Sequence, residues 1–132
     1  MCVDISNGYP EGHCSGIANP NALLTIGYGS RRSSEQFVAL LHRYNIQYLA
    51  DVRTKPFSKF RPEYSKDALA AILKRSGITY IYMGDTLGGL PTDPTCYTAG
   101  KVDYQKVREC EWFTRGLERL EVGWQRHHRI AI

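Results

Sequence analysis

The stretch YLADVRTKPFSKFRPEYSKDALAAILKRSGITYIYM, residues 48–83, holds an apolar strand pattern, a basic loop, a helical pattern and a second strand pattern, in that order. Tyr48, Leu49 and Val52 mark a strand over 47–52. Ser65 stands where a helix cap is expected, Leu69, Ile72 and Leu73 recur at helical spacing, and Ser76-Gly77 is a helix stop. Ile78 to Met83 is β-branched and aromatic, as strands are. A strand, a helix and a strand in succession form the unit of a parallel sheet, because a parallel partner is reached only by a crossover.

The same alternation continues outward on both sides. Leu23 to Gly27 is a short apolar run bounded by glycine, the pattern of a strand buried on both faces. After the turn Tyr28 to Arg32, Ser33 and Gln36 form a capping-box pattern, and Phe37, Leu40, Leu41 and Tyr44 line one helical face. Downstream, Gly84 to Gly100 reads as one long loop. Asp103 caps a third helix with Val107, Cys110, Leu117, Leu120 and Trp124 on its inner side, and Arg129 begins a fourth strand. The pattern predicts an α/β fold: a three-layer α/β/α domain with a mostly parallel sheet and helices on both faces. Residues 1–22 carry Asn7-Gly8, Pro10, Gly12, Gly16 and Asn19-Pro20 without periodicity and read as a flexible leader, so 23–132 is a single domain. Its last strand begins only a few residues before Ile132, from which we expect a fragment, incomplete at the C-terminus.

Composition narrows the function classes. No apolar run approaches the roughly 20 residues that span a bilayer, and no signal-peptide core precedes the domain, so the expectation is a cytoplasmic protein with no membrane association. Cys2, Cys14, Cys96 and Cys110 are irregularly spaced and read as reduced thiols; His13, Cys14 and Cys2 are too few for a convincing metal site, and none is assigned. The formal charge is +4, and the leader holds Asp4 and Glu11 with no Lys or Arg, leaving +6 on residues 23–132. A basic body suits phosphate-bearing partners, although surplus cations also serve solubility alone.

Ligands of parallel sheets bind beyond the carboxyl ends of the strands, and three loops leave from those ends: 27–32, 51–64 and 84–100. Gly27 permits close backbone approach, and Ser30 and Arg31 precede a helix N-terminus, though a plain tight turn has the same pattern. Asp51, at the end of an apolar strand, is either a buried partner for Arg53 or a general base, and it is the candidate catalytic residue. Arg53 and Arg61 suit bidentate phosphate recognition, with Lys55 and Lys59 as point charges and Ser58 between them. Phe57, Phe60 and Tyr64 can stack bases or cover the sheet edge. Gly88 and Gly89 complete the candidate ligand-binding set. His127-His128 reads as a solvated turn rather than a metal pair, since neighbours on a strand point apart.

The strings LLTIGYGSRRSSEQFVALL, residues 48–83 quoted above, and LGG within DTLGGLP, in this order and followed by Asp103-Tyr104 and FTRGLERL, resemble the prokaryotic domain-of-unknown-function 488 family from about residue 23 onward. The resemblance implies strand-end loop residues at Gly27, Ser30, Arg31, Asp51, Arg53, Pro56, Ser58, Leu87, Gly88 and Gly89. It also implies Cys-Ala-Glu and Cys-His-Arg segments beyond the fourth strand, which this sequence does not contain. The leading expectation is a strand-end cleft that binds a phosphorylated small molecule, nucleotide or nucleic acid and, in an enzyme, acts on it. Two alternatives stand beside it: a rhodanese-like sulfurtransferase or phosphatase-like enzyme whose cysteine lies downstream, suggested by the likeness of LADVR to the start of that fold, and a non-catalytic nucleic-acid-binding module. No cofactor or oligomeric state is implied.

Overall fold

A computed structural model of the protein describes residues 2–4, 22–28 and 32–132. In chain order the strands and helices are β1 (Cys2–Asp4), β2 (Leu23–Thr25), α1 (Ser34–Arg43), β3 (Tyr48–Asp51), α2 (Lys66–Arg75), β4 (Thr79–Tyr82), α3 (Gly84–Leu87), β5 (Tyr97–Thr98), β6 (Lys101–Val102), α4 (Tyr104–Glu109), α5 (Glu111–Gln125) and β7 (Ile130–Ala131). The main sheet is parallel throughout, in the order β1-β2-β7-β3-β4. The last strand in sequence is therefore central in space. Its ladder to β2 runs on past Ala131, with Ile132 N donating to Leu24 O at 2.8 Å and Ile26 N donating to Ile132 O at 2.9 Å.

Successive strand residues point to opposite faces, and the two faces carry separate cores. Leu24, Leu49 and Ala131 pack with Phe37, Leu40 and Leu41 of α1 and Leu69 and Leu73 of α2. Ala50, Met83 and Ile130 pack on the other face, joined by Leu87 of α3 and Leu120 of α5. This is the α/β/α layering that the sequence predicts. The α1 cap also matches: Gln36 N donates to Ser33 Oγ at 3.2 Å, and Ser33 N donates to Gln36 Oε1 at 3.0 Å. No helix among the described residues is long and apolar enough to cross a membrane.

Three features differ from the sequence reading. Cys2–Asp4, placed there in the leader, pairs with β2 as an edge strand; residues 5–21, including His13 and Cys14, lie outside the described residues. The stretch 84–100 is not one open loop, because it contains α3 and the first strand of the β5–β6 hairpin, whose turn has Ala99 and Gly100 at φ 49° and 76°. The third helix is two. Asp103 caps α4 by accepting from Gln105 N, but Cys110 is extended (φ −78°, ψ 131°), and α5 starts afresh behind it. The break resets the helical phase, so Leu117 and Trp124, expected inside, are 47% and 40% exposed, while Gly116 is buried and Leu120 packs inward.

Gly116 is where α5 meets α3, and a Cβ there would lie 2.7 Å from Thr86 Oγ1 and 2.8 Å from Thr86 Cβ. Alanine gains about 1 kcal/mol in helix propensity but overpacks this contact at a cost of about 1–3 kcal/mol. Gly116→Ala should therefore lower stability in urea unfolding despite being the better helix former, whereas an exposed-face change such as Glu118→Ala should leave it within about 0.5 kcal/mol.

Candidate functional site

Because β7 lies between β2 and β3, three parallel strands end side by side, and the residues beyond them share one cleft. Ile26, Gly27 and Tyr28 follow β2, Ile132 follows β7, and Val52 and Arg53 follow Asp51 of β3; together with Phe37, Tyr64 and Leu69 they line a cavity of about 440 Å³. At its wall sits Asp51, the one buried charged residue among those described, 6% exposed.

Both Asp51 oxygens are engaged. Oδ1 accepts from Arg53 N at 3.1 Å and Arg53 Nε at 2.8 Å, and Oδ2 accepts from Arg53 Nη2 and from the Tyr80 hydroxyl, each at 2.6 Å. The side-on ion pair and the extended backbone of residues 51–53 thus make one small ring. Burial by itself pushes the Asp51 pKa up, but the Arg53 and Tyr80 hydrogen bonds outweigh it and hold the carboxyl below its ordinary value. The pairing with Asp51 raises the Arg53 pKa against the opposing effect of burial, and burial followed by the bond to Asp51 raises that of Tyr80. The Arg53 guanidinium lies 5.2 Å from the centre of the Tyr28 ring, and its Nη1 is buried with no hydrogen-bond partner among the described residues.

The rest of the basic loop divides by direction. Arg61, expected to bind phosphate, turns inward: Nε donates to Glu63 Oε1 at 3.0 Å, Nη1 to Tyr28 O at 3.3 Å and Nη2 to Arg32 O. Tyr64 is fully buried, stacks on Tyr28 at 4.8 Å and donates from its hydroxyl to Arg32 O and Ser33 O. This pair anchors the entry to α1. Ser58 shapes the turn, its N donating to Ser65 Oγ and its own Oγ accepting from Arg61 N. Ser65 thus ties down the loop instead of capping α2 with its side chain. Lys55 and Lys59 are exposed, as are Phe57 at 73% and Phe60 at 91%.

Gly27 borders the cleft, whereas Ser30 and Arg31 lie outside the described residues. A Cβ at Gly88 would collide with Gly84 O and Thr54 Oγ1, so this glycine lets the segment after β4 dock on the basic loop, where Leu90 N donates to Thr54 Oγ1 at 3.0 Å. Gly89 faces open space. The adjacent histidines do diverge: His127 is exposed at φ 61°, and the His128 ring lies 4.8 Å from that of Tyr48. Sequence reasoning missed Tyr80, which reaches Asp51 only through the β3–β4 register that sets Leu49 beside it.

The family description "Domain of unknown function DUF488" matches residues 33–132. The chain belongs to this family. The matched span runs from the α1 cap to the end of the sequence and takes in Asp51, Arg53 and Tyr80. No curated protein and no solved structure matches the DUF488 chain.

Since the folded-state pKa of Asp51 is depressed, its contribution to stability is present above the unfolded value of about 3.9 and is lost as pH falls through the folded one. Urea unfolding between about pH 6 and pH 3 should show an acid loss of stability that is shallower in Asp51→Asn. Tyr80→Phe, which removes a hydrogen bond to a charged acceptor, should cost about 1.5–3 kcal/mol at neutral pH.

Proposed function

We propose that the strand-end cleft binds a phosphate-bearing ligand and that nucleotides or nucleic acid are the class it takes. One observation carries this reading: Arg53 is locked by Asp51 at the cleft wall, yet its Nη1 is buried with no acceptor among the described residues. An unpaired buried donor, charged in this case, is costly, and an anionic oxygen in the cleft would relieve it. A guanidinium already fixed in orientation loses less freedom on binding than a mobile one.

The loop that follows Arg53 supports the choice of ligand class. Phe57 and Phe60 are exposed rings next to the exposed cations Lys55 and Lys59, an arrangement that stacks bases while neutralising phosphates. Gly27 at the border lets a ligand approach the backbone. In this reading Asp51, its oxygens already holding four hydrogen bonds, is a positioning residue for Arg53 rather than a proton acceptor.

Fluorescence anisotropy with labelled single-stranded oligonucleotides at several salt concentrations tests the reading. Affinity should fall with salt, and Lys55→Ala with Lys59→Ala should reduce the slope. Arg53→Ala should weaken binding, and Asp51→Asn should weaken it by about 1–3 kcal/mol although it removes a negative charge. Tighter binding by Asp51→Asn, with an unchanged circular dichroism spectrum, would make the loop a diffuse basic surface and sink the proposal.

A further inference from the structure

Away from the residues that line the cleft, the segment after β4 and the break between α4 and α5 bring three potential metal ligands together. Asp93, Cys96 and Cys110 each place a ligand atom within 4.8 Å of the other two, and the Cys96 and Cys110 sulfurs are 3.5 Å apart. No sequence motif joins them, since the cysteines are 14 residues apart and on different elements.

Each ligand is held by its own local structure. Asp93 caps the 3-10 turn Pro94–Cys96, its Oδ1 accepting from Thr95 N at 2.9 Å and Thr95 Oγ1 at 2.6 Å, so the carboxylate has a fixed orientation and a second oxygen to offer. Cys96 closes that turn, its N donating to Asp93 O and its O accepting from Asp103 N at 2.7 Å, and it is fully buried. Cys110 occupies the extended residue that separates α4 from α5 and is only half-buried. The helix break thereby sets its sulfur against Cys96 instead of carrying it round a continuous helix.

We propose that Asp93, Cys96 and Cys110 form a binding site for a thiophilic divalent cation of the zinc type, with its fourth position open. Tetrahedral zinc with Zn–S of about 2.3 Å sets its sulfurs about 3.8 Å apart and a sulfur and a carboxylate oxygen about 3.5 Å apart. The sulfur pair already meets this spacing, and the widest pair of ligand atoms has to close by about an ångström. Two thiolates with one carboxylate suit a borderline-soft ion and exclude magnesium or calcium, which require oxygen ligands. On binding, each thiol releases its proton to solvent and its sulfur lone pair forms the metal bond, with no change of oxidation state. Three protein ligands leave one position for water or an exchangeable group. Such an ion would staple the turn Pro94–Cys96 to the start of α5.

The test is an anaerobic titration of the reduced, metal-free full chain with Co²⁺, read by its visible d–d bands and near-ultraviolet thiolate charge-transfer band. Cys2 and Cys14 also offer sulfur, so the same titration is run on Cys2→Ser with Cys14→Ser. The expected result is one equivalent of tetrahedral, thiolate-bound Co²⁺ in both proteins, displaced by Zn²⁺. The bands should be lost in Cys110→Ser, whose half-exposed position tolerates the change, and affinity should drop at least tenfold in Asp93→Asn, circular dichroism being unchanged in both. Bands that survive Cys110→Ser, bands that vanish with Cys2 and Cys14, unaltered affinity in Asp93→Asn, or no Co²⁺ uptake by a chain whose thiols titrate as reduced would each overturn the proposal.

Discussion

A carboxylate buried at the end of a parallel strand must be neutralised where it stands, and the pairing of Asp51 with Arg53 and Tyr80 does so with four hydrogen bonds. Desolvating two charges offsets most of their attraction, so such a pair is a weak source of net stability; removing one partner is expensive because the other is left buried and uncompensated. The consequence is geometric. Residue 53 bonds residue 51 through both backbone and side chain as the chain leaves β3, and that fixes where the basic loop begins. Tyr80 closes the set from β4, so the ion pair also reports the register of the two strands.

From that anchor the loop is divided between structure and surface. Arg61 and Tyr64 fold back to hold the carbonyls of Tyr28, Arg32 and Ser33, coupling the loop after β3 to the one after β2. Phe57, Phe60, Lys55 and Lys59 are left on the outside. Bonded, partly buried cations and rings at its ends and exposed ones in its middle are what a loop requires if it is to be rigid and still present a surface.

The opposite layer is organised by a different constraint. The extended backbone at Cys110 ends α4, restarts α5 in a new phase and turns Gly116 toward α3, where only the smallest residue fits. The same break sets the Cys110 sulfur beside Cys96. One local departure from helical geometry therefore decides both which face of α5 is buried and which thiols meet.

Local sequence determined the parts whose physics is local. The capping box at Ser33 and Gln36, the spacing of Phe37, Leu40 and Leu41, the turn at Asp103, and the alternation that makes a three-layer parallel sheet are set by residues within a few positions of one another. The nearness of Arg53 to Asp51 was legible for the same reason, being two residues away along an extended chain. Tertiary structure alone decided the central place of β7, the arrival of Tyr80 at Asp51, the inward turn of Arg61 and the meeting of Cys96 with Cys110. Each joins segments far apart in sequence through register or layer packing. Hydrophobic periodicity specifies which face of an element is buried, but not which neighbour covers it or which polar group waits there.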